Sequence, residues 1–140
     1  MTTLTSNITH WLRSAPALPD IRAAHWILRA LLAAIIIREG VAKAPITAEG
    51  AEAFGVPLIL WGMAAFGEIV AGSLLLIGGA IRTRTGDLMT RAGGLFLAVI
   101  VASVIAVVYW APPIELFLYN QLHLMLLTGG LYFAFRGNAA

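Results

Sequence analysis

Four long apolar stretches alternate with short polar segments, over about residues 20–44, 57–81, 88–109 and 114–135. Each is long enough for a helix rising ~1.5 Å per residue to cross a hydrocarbon layer ~30 Å thick. Pro19 suits the first turn of the first stretch, with Asp20 at the positive end of its dipole. Trp26 marks a membrane interface and Pro45 stops the helix. Residues 45–56 form a loop carrying Glu49 and Glu52, with room for one short helical turn. From Val56 to Ile81 the only charge is Glu68. Arg82, Arg84 and Asp87 make the next segment a hydrophilic loop. The third stretch ends in the interfacial pair Tyr109 and Trp110, and Pro112 and Pro113 make a tight turn into the fourth. The pattern predicts an all-α fold: an integral membrane four-helix bundle over residues 20–136, with tails 1–19 and 137–140. In the first tail, Ser6 or Asn7 could cap a short helix, and Trp11 beside Arg13 suits the interface.

Composition agrees with the pattern. Of 140 residues, 60% are hydrophobic and 11% charged, and the mean hydropathy is +0.88. Soluble domains run at about 45–50% apolar and about 25% charged. Four spans use most of the chain, so no separate soluble catalytic domain is expected. There are no cysteines, which excludes disulfides, thiol catalysis, iron–sulfur clusters and Cys-based zinc sites. The net charge of +2 comes from arginines at span ends and reads as a topology signal, not a nucleic-acid patch. The first twenty residues are polar and lack the apolar core of a secretory signal.

The arginines set an orientation. Arg13, Arg22, Arg82, Arg84, Arg91 and Arg136 share one side. The other side has Lys43, with Arg38 a little deeper, and carries Glu49, Glu52 and Glu115. The positive-inside rule then puts both termini in the cytoplasm, with a bacterial inner membrane as the expected location. Gly94, Ala98, Ala102 and Ala106 recur every fourth residue on the third span, as Gly67 and Ala71 do on the second. Such stripes let membrane helices approach closely, and packing within the bundle is their simplest use.

A carboxylate in the centre of a span is costly and marks a site. Counted from the outer side at the helical rise, Glu68 lies ~16 Å deep, His123 ~14 Å, Arg29 ~21 Å and Glu39 ~6–8 Å. At about 100° per residue, Arg29, Gly40 and Lys43 share a face of the first span, with Glu39 at its edge and Arg38 opposite. Trp61, Glu68 and Gly72 share a face of the second, and Asn120, His123 and Leu127 one of the fourth. Depth makes Arg29 the first expected partner of Glu68 and His123 the second. The cluster Arg29, Glu39, Lys43, Glu68 and His123 then reads in two ways: an interhelical charge lock that fixes register, or a polar pocket for a quinone head group or a proton. Sequence alone favours the lock.

No catalytic residue is assigned. His25 and His123 differ in depth by on the order of 13 Å, so a bis-histidine haem is not expected. No metal quartet or nucleophile–base arrangement stands out, and Gly78 and Gly79 lack the Lys-Ser/Thr context of a phosphate loop. No cofactor held covalently or by metal ligation is expected. A quinone or lipid is the expected ligand class.

Leu28 and Arg29, an apolar run, and Gly40 to Lys43 precede Glu68, Gly72, Gly78 and Arg82. In these residues the chain resembles the DoxX-like family of small four-helix membrane proteins, over roughly residues 22–110. The positions carried over are Arg29, Gly40, Lys43, Glu68, Gly72 and Arg82. Arg38 with Glu39, and Asn120, Gln121 and His123, depart from the family pattern. The resemblance implies a membrane component of a redox system, similar to a subunit of thiosulfate:quinone oxidoreductase. The expectation is a non-catalytic accessory subunit of a quinone-linked membrane oxidoreductase. It would contact lipids and other membrane subunits or copies of itself, and no nucleic acid. The alternatives are a small proton- or cation-coupled transporter built on Glu68, or a purely structural subunit.

Overall fold

A computed structural model describes residues 22–138. The expectations for the first tail, Pro19 and Asp20 lie outside them. Among the described residues the fold is all-helical, with six helices. These are α1 (Arg22–Ala42), α2 (Ala48–Ala53), α3 (Leu58–Ala80), α4 (Arg84–Val107), α5 (Pro113–Tyr119) and α6 (Gln121–Arg136). α3 and α4 are long and apolar enough to cross a membrane. α1 has the length but carries Arg29, Arg38 and Glu39.

Local chemistry sets the boundaries. The turn anticipated within 45–56 is α2, capped by Thr47, whose Oγ1 accepts from Gly50 N at 3.2 Å. α4 begins at Arg84, earlier than the expected residue 88. Thr83 Oγ1 accepts from Gly86 N at 3.4 Å, and Asp87 sits in the first turn. Most of the expected hydrophilic loop is therefore helix, leaving residues 81–83 as the connection.

The fourth stretch differs more. It was expected as one helix over 114–135 and is two, broken at Asn120 (φ −124°, ψ 34°). Asn120 N donates to Leu116 O at 2.9 Å, ending α5, and Asn120 O accepts from Leu124 N at 3.1 Å, starting α6. Gln121 Nε2 donates to Leu118 O at 2.6 Å and satisfies a carbonyl that the break leaves free. Asparagine is a weak helix former that competes for local backbone bonds. α6 has 16 residues and spans ~24 Å.

α3 packs along α1 on one side and α4 on the other, and α4 packs along α6. Between them lie Leu32, Ala33, Ile36, Ala71, Leu75, Leu97, Val101, Leu126 and Phe133. Close backbone approach fixes the registers. A Cβ at Gly40 would stand 2.6 Å from Ala65 O, and one at Gly72 3.0 Å from Ala33 O. On the other side, a Cβ at Gly94 would stand 2.6 Å from Gly130 O. Gly94 and Ala98 are thus buried against α6, but Ala102 and Ala106 are exposed. The stripe does not stay in the interface because each four-residue step overshoots a 3.6-residue turn by about 40°. Val101 and Ile105 continue the buried face instead. The outward surface is apolar, with Ile59, Met63, Phe66, Leu95, Phe96, Val99 and Val107 exposed.

Candidate functional site

The polar residues form two clusters at opposite ends of the core. We call the end holding α2 and α5 the upper end. At the lower end, α1 begins, α3 turns into α4 and α6 finishes.

The upper cluster centres on Glu68, buried at 4% exposure. Gly40 brings α1 against α3 at the level of Glu68, where a Cβ would lie 3.1 Å from Glu68 Cβ. Lys43 follows three residues later, just past the end of α1, and its long side chain turns back down. Its Nζ donates to Glu68 Oε2 at 2.7 Å and to Glu39 O at 3.2 Å. The ammonium also lies 5.3 Å from the centre of the Trp61 ring, close enough for a cation–π attraction. Trp61 is itself held by stacking on Phe54, with ring centres 4.9 Å apart. Among the described residues its Nε1 has no hydrogen-bond partner.

This ion pair stands in the wall of a cavity of about 480 Å³. Ile36, Glu39, Trp61, Val104, Tyr109, His123 and Leu126 also line it. His123 enters from the first turn of α6 and packs against Tyr109, with ring centres 4.6 Å apart. The volume lies in the usual range for small-molecule sites, roughly 300–1,000 Å³. The chemistry is a few polar groups on one side of a mostly apolar space. It can orient a polar head group by hydrogen bonds from Lys43 and His123. Among the described residues, no three His, Cys, Asp or Glu side chains gather where they could hold a metal ion.

The lower cluster centres on Arg29, 1% exposed. Nη1 donates to Leu75 O and Thr90 Oγ1, and Nη2 to Asn138 Oδ1, each at 2.8 Å. The guanidinium also faces the Phe133 ring at 4.7 Å. Asn138 Nδ2 donates to Gly78 O at 2.8 Å, and Asn138 N to Asp87 Oδ1 at 2.7 Å. Arg91 Nε donates to Asp87 Oδ2 at 2.7 Å, and Arg91 Nη1 to Phe135 O at 2.6 Å. This network ties α1, α3, α4 and the end of α6 together. Gly137, at φ +64°, turns the chain back into it.

The expected Arg29–Glu68 pair is therefore corrected. Arg29 sits against Gly79, eleven residues along α3 from Glu68, or ~16 Å at the helical rise. Lys43 is the cation on Glu68. Depth counted from the loops misplaced Arg29, because the glycine contacts set the α1–α3 register. Glu39, Lys43, Glu68 and His123 do line one cavity, without Arg29. Arg38 is turned away as its phase implied, with its side chain 81% exposed and Nη1 3.8 Å from Glu39 Oε1. Sequence reasoning missed Thr90 and Asn138. Gly137, two residues after the end of the fourth apolar stretch at Phe135, was the available signal, since a helix-ending glycine can fold the next residue back. His25 packs on Phe133 at the lower end, with ring centres 5.0 Å apart, far from His123. Comparison of the chain with protein-family models, curated proteins and solved structures finds no match.

Proposed function

We propose that this chain is an integral membrane protein whose four longer helices form a bundle across a bacterial cytoplasmic membrane, lower end inward. In this reading it is a non-catalytic accessory subunit of a quinone-linked redox complex, and its upper cavity holds the head group of a lipid-soluble ligand. The observation that carries the reading is the buried Lys43–Glu68 pair in the wall of an otherwise largely apolar cavity. Ionisable groups at membrane depth are expensive and belong to sites by default.

Three further features support it. Large apolar side chains face outward while Arg29, Glu68 and Thr90 are buried, a polarity suited to lipid. Arg82, Arg84, Arg91 and Arg136 belong to the lower end, and Glu49, Glu52 and Glu115 to the upper, which the positive-inside rule turns into an orientation. Among the positions resembling the DoxX-like family, Lys43 and Glu68 form the ion pair and Gly40 and Gly72 make the α1–α3 crossing. The test is purification from native membranes in mild detergent, with identification of bound proteins and lipid-soluble molecules. A redox enzyme partner and stabilisation by added quinone are expected. A lone protein whose melting ignores quinone would refute the proposal.

A further inference from the structure

The cavity does not end at its polar side. Its lining runs from buried Glu68 and Leu126 to Met63 on α3 and Val99, Ser103 and Val107 on α4, all four exposed. The void therefore reaches the outer surface between the upper halves of α3 and α4. Lower down the same two helices are tightly joined: a Cβ at Gly93 would stand 2.9 Å from Ala71 O, and one at Gly78 2.7 Å from Thr90 N. Gly67 packs against Ile100 just below the opening, at 2.9 Å by the same measure. The rim is apolar except for Ser103, and that hydroxyl donates to Val99 O at 2.8 Å. An apolar rim on a lipid-facing surface admits hydrocarbon and disfavours water.

The polar side constrains the head group. In the cavity lining, Glu39 and Glu68 set two carboxylates against the ammonium of Lys43, while Arg38, outside the lining and with its side chain 81% exposed, lies 3.8 Å from Glu39 on its exposed side. An anionic head would meet like charge in a space of low polarity. A neutral head with acceptor oxygens can instead take hydrogen bonds from Lys43 and His123. We infer that the cavity is filled sideways from the bilayer, through the α3–α4 cleft, by an uncharged quinone-type head whose single hydrocarbon tail stays in the cleft. This rests on the cavity reading proposed above.

Quinones quench tryptophan fluorescence, and Trp61 is in the cavity wall, so binding can be followed directly in detergent. The probes are a decyl-tailed benzoquinone, its tail-less parent and oleate as a tailed anion. The expected result is a quench lost in Trp61→Phe and absent with oleate, which also fails to compete. Ser103→Trp should fill the rim and raise the Kd of the decyl probe at least about tenfold, leaving the tail-less quinone unchanged. Because the chain has no cysteine, Ser103→Cys gives a second readout: the decyl probe should slow its maleimide labelling and the tail-less probe should not. Equal binding of the decyl probe by wild type and Ser103→Trp, with unprotected labelling, would overturn the cleft and leave the cavity reading standing. Competition by oleate would overturn the assignment of an uncharged head. No quench by either quinone in wild type would overturn the cavity reading and this inference with it.

Discussion

Neutralising Lys43 and Glu68, singly and together, tests the register on which the upper site depends. The pair is 2.7 Å apart, with side chains 14% and 5% exposed. At an effective dielectric of ~20 the Coulomb attraction at that distance is about 6 kcal/mol, and desolvation of both ions cancels much of it. Removing one partner leaves the other buried without compensation, at a cost of about 3–5 kcal/mol. Lys43→Met and Glu68→Gln should each destabilise by about that amount. The double variant should be no worse than either single one, so the coupling energy comes to at least about 3–5 kcal/mol. Arg29→Met provides the control. Among the described residues its guanidinium bonds to uncharged oxygens in the lower network, ~16 Å from Glu68 by the helical rise. Sites that far apart should add within about 0.5 kcal/mol. The assay is reversible unfolding in mixed detergent micelles, followed by circular dichroism. A Lys43–Glu68 coupling under about 0.5 kcal/mol, or an Arg29–Glu68 coupling above about 1 kcal/mol, would refute the α1–α3 register.

The small-residue stripe should behave as two halves. Gly94→Leu meets the α6 backbone and should cost at least about 2–3 kcal/mol by overpacking. Ala106→Leu, on the exposed side of the same helix, should stay within about 0.5 kcal/mol; thermal melting in detergent compares them. Asn138→Ala removes bonds to Arg29, Thr90 and Gly78 and should lower stability by about 1–3 kcal/mol. In hydrogen exchange the backbone amides of residues 135, 136 and 138 should lose protection in this variant. Arg29→Lys cannot reproduce the two-pronged Nη1 and Nη2 contacts and should cost about 1–3 kcal/mol on the same melting assay.

Apolar runs and prolines made most of the helical layout legible. Val56 to Ile81, with one charge in it, could be little else than a long helix, and α3 covers Leu58–Ala80. Asn120 was harder. One asparagine in an apolar run costs a helix only a fraction of a kcal/mol by propensity, so the break depends on tertiary context that a sequence pattern does not carry. The upper site was partly legible. Phase grouped Lys43 with Arg29 and Gly40, with Glu39 at the edge, and gave Glu68 and His123 faces on their own helices; Glu39, Lys43, Glu68 and His123 line one cavity and Arg29 does not. The pairing was not legible, because depth counted from loop to loop assumes that all spans begin at one level. The α1–α3 offset is set instead by Gly40 against Ala65 and Gly72 against Ala33, contacts that are invisible until the helices are placed together.

The two clusters also differ in their surroundings, and this difference supports the upper end as the ligand site proposed above. At the lower end, Arg29, Thr90, Asn138, Asp87 and Arg91 direct hydrogen bonds to one another and to backbone carbonyls of α3 and α6. Such a network rigidifies a fold, although among the described residues Arg29 Nε and His25 Nε2 at that end are buried without a hydrogen-bond partner. At the upper end, Lys43 and Glu68 satisfy each other through one contact while both still face an open volume, with His123, Tyr109 and the second carboxylate of Glu39 around it. A lock that only fixed register would be better served by apolar residues filling that space, since a packed core costs no desolvation. The retained cavity beside a buried charge pair is what favours a ligand site over a purely structural role. If Ala64→Phe, which projects into the cavity wall, left quinone binding intact, that preference would be reversed.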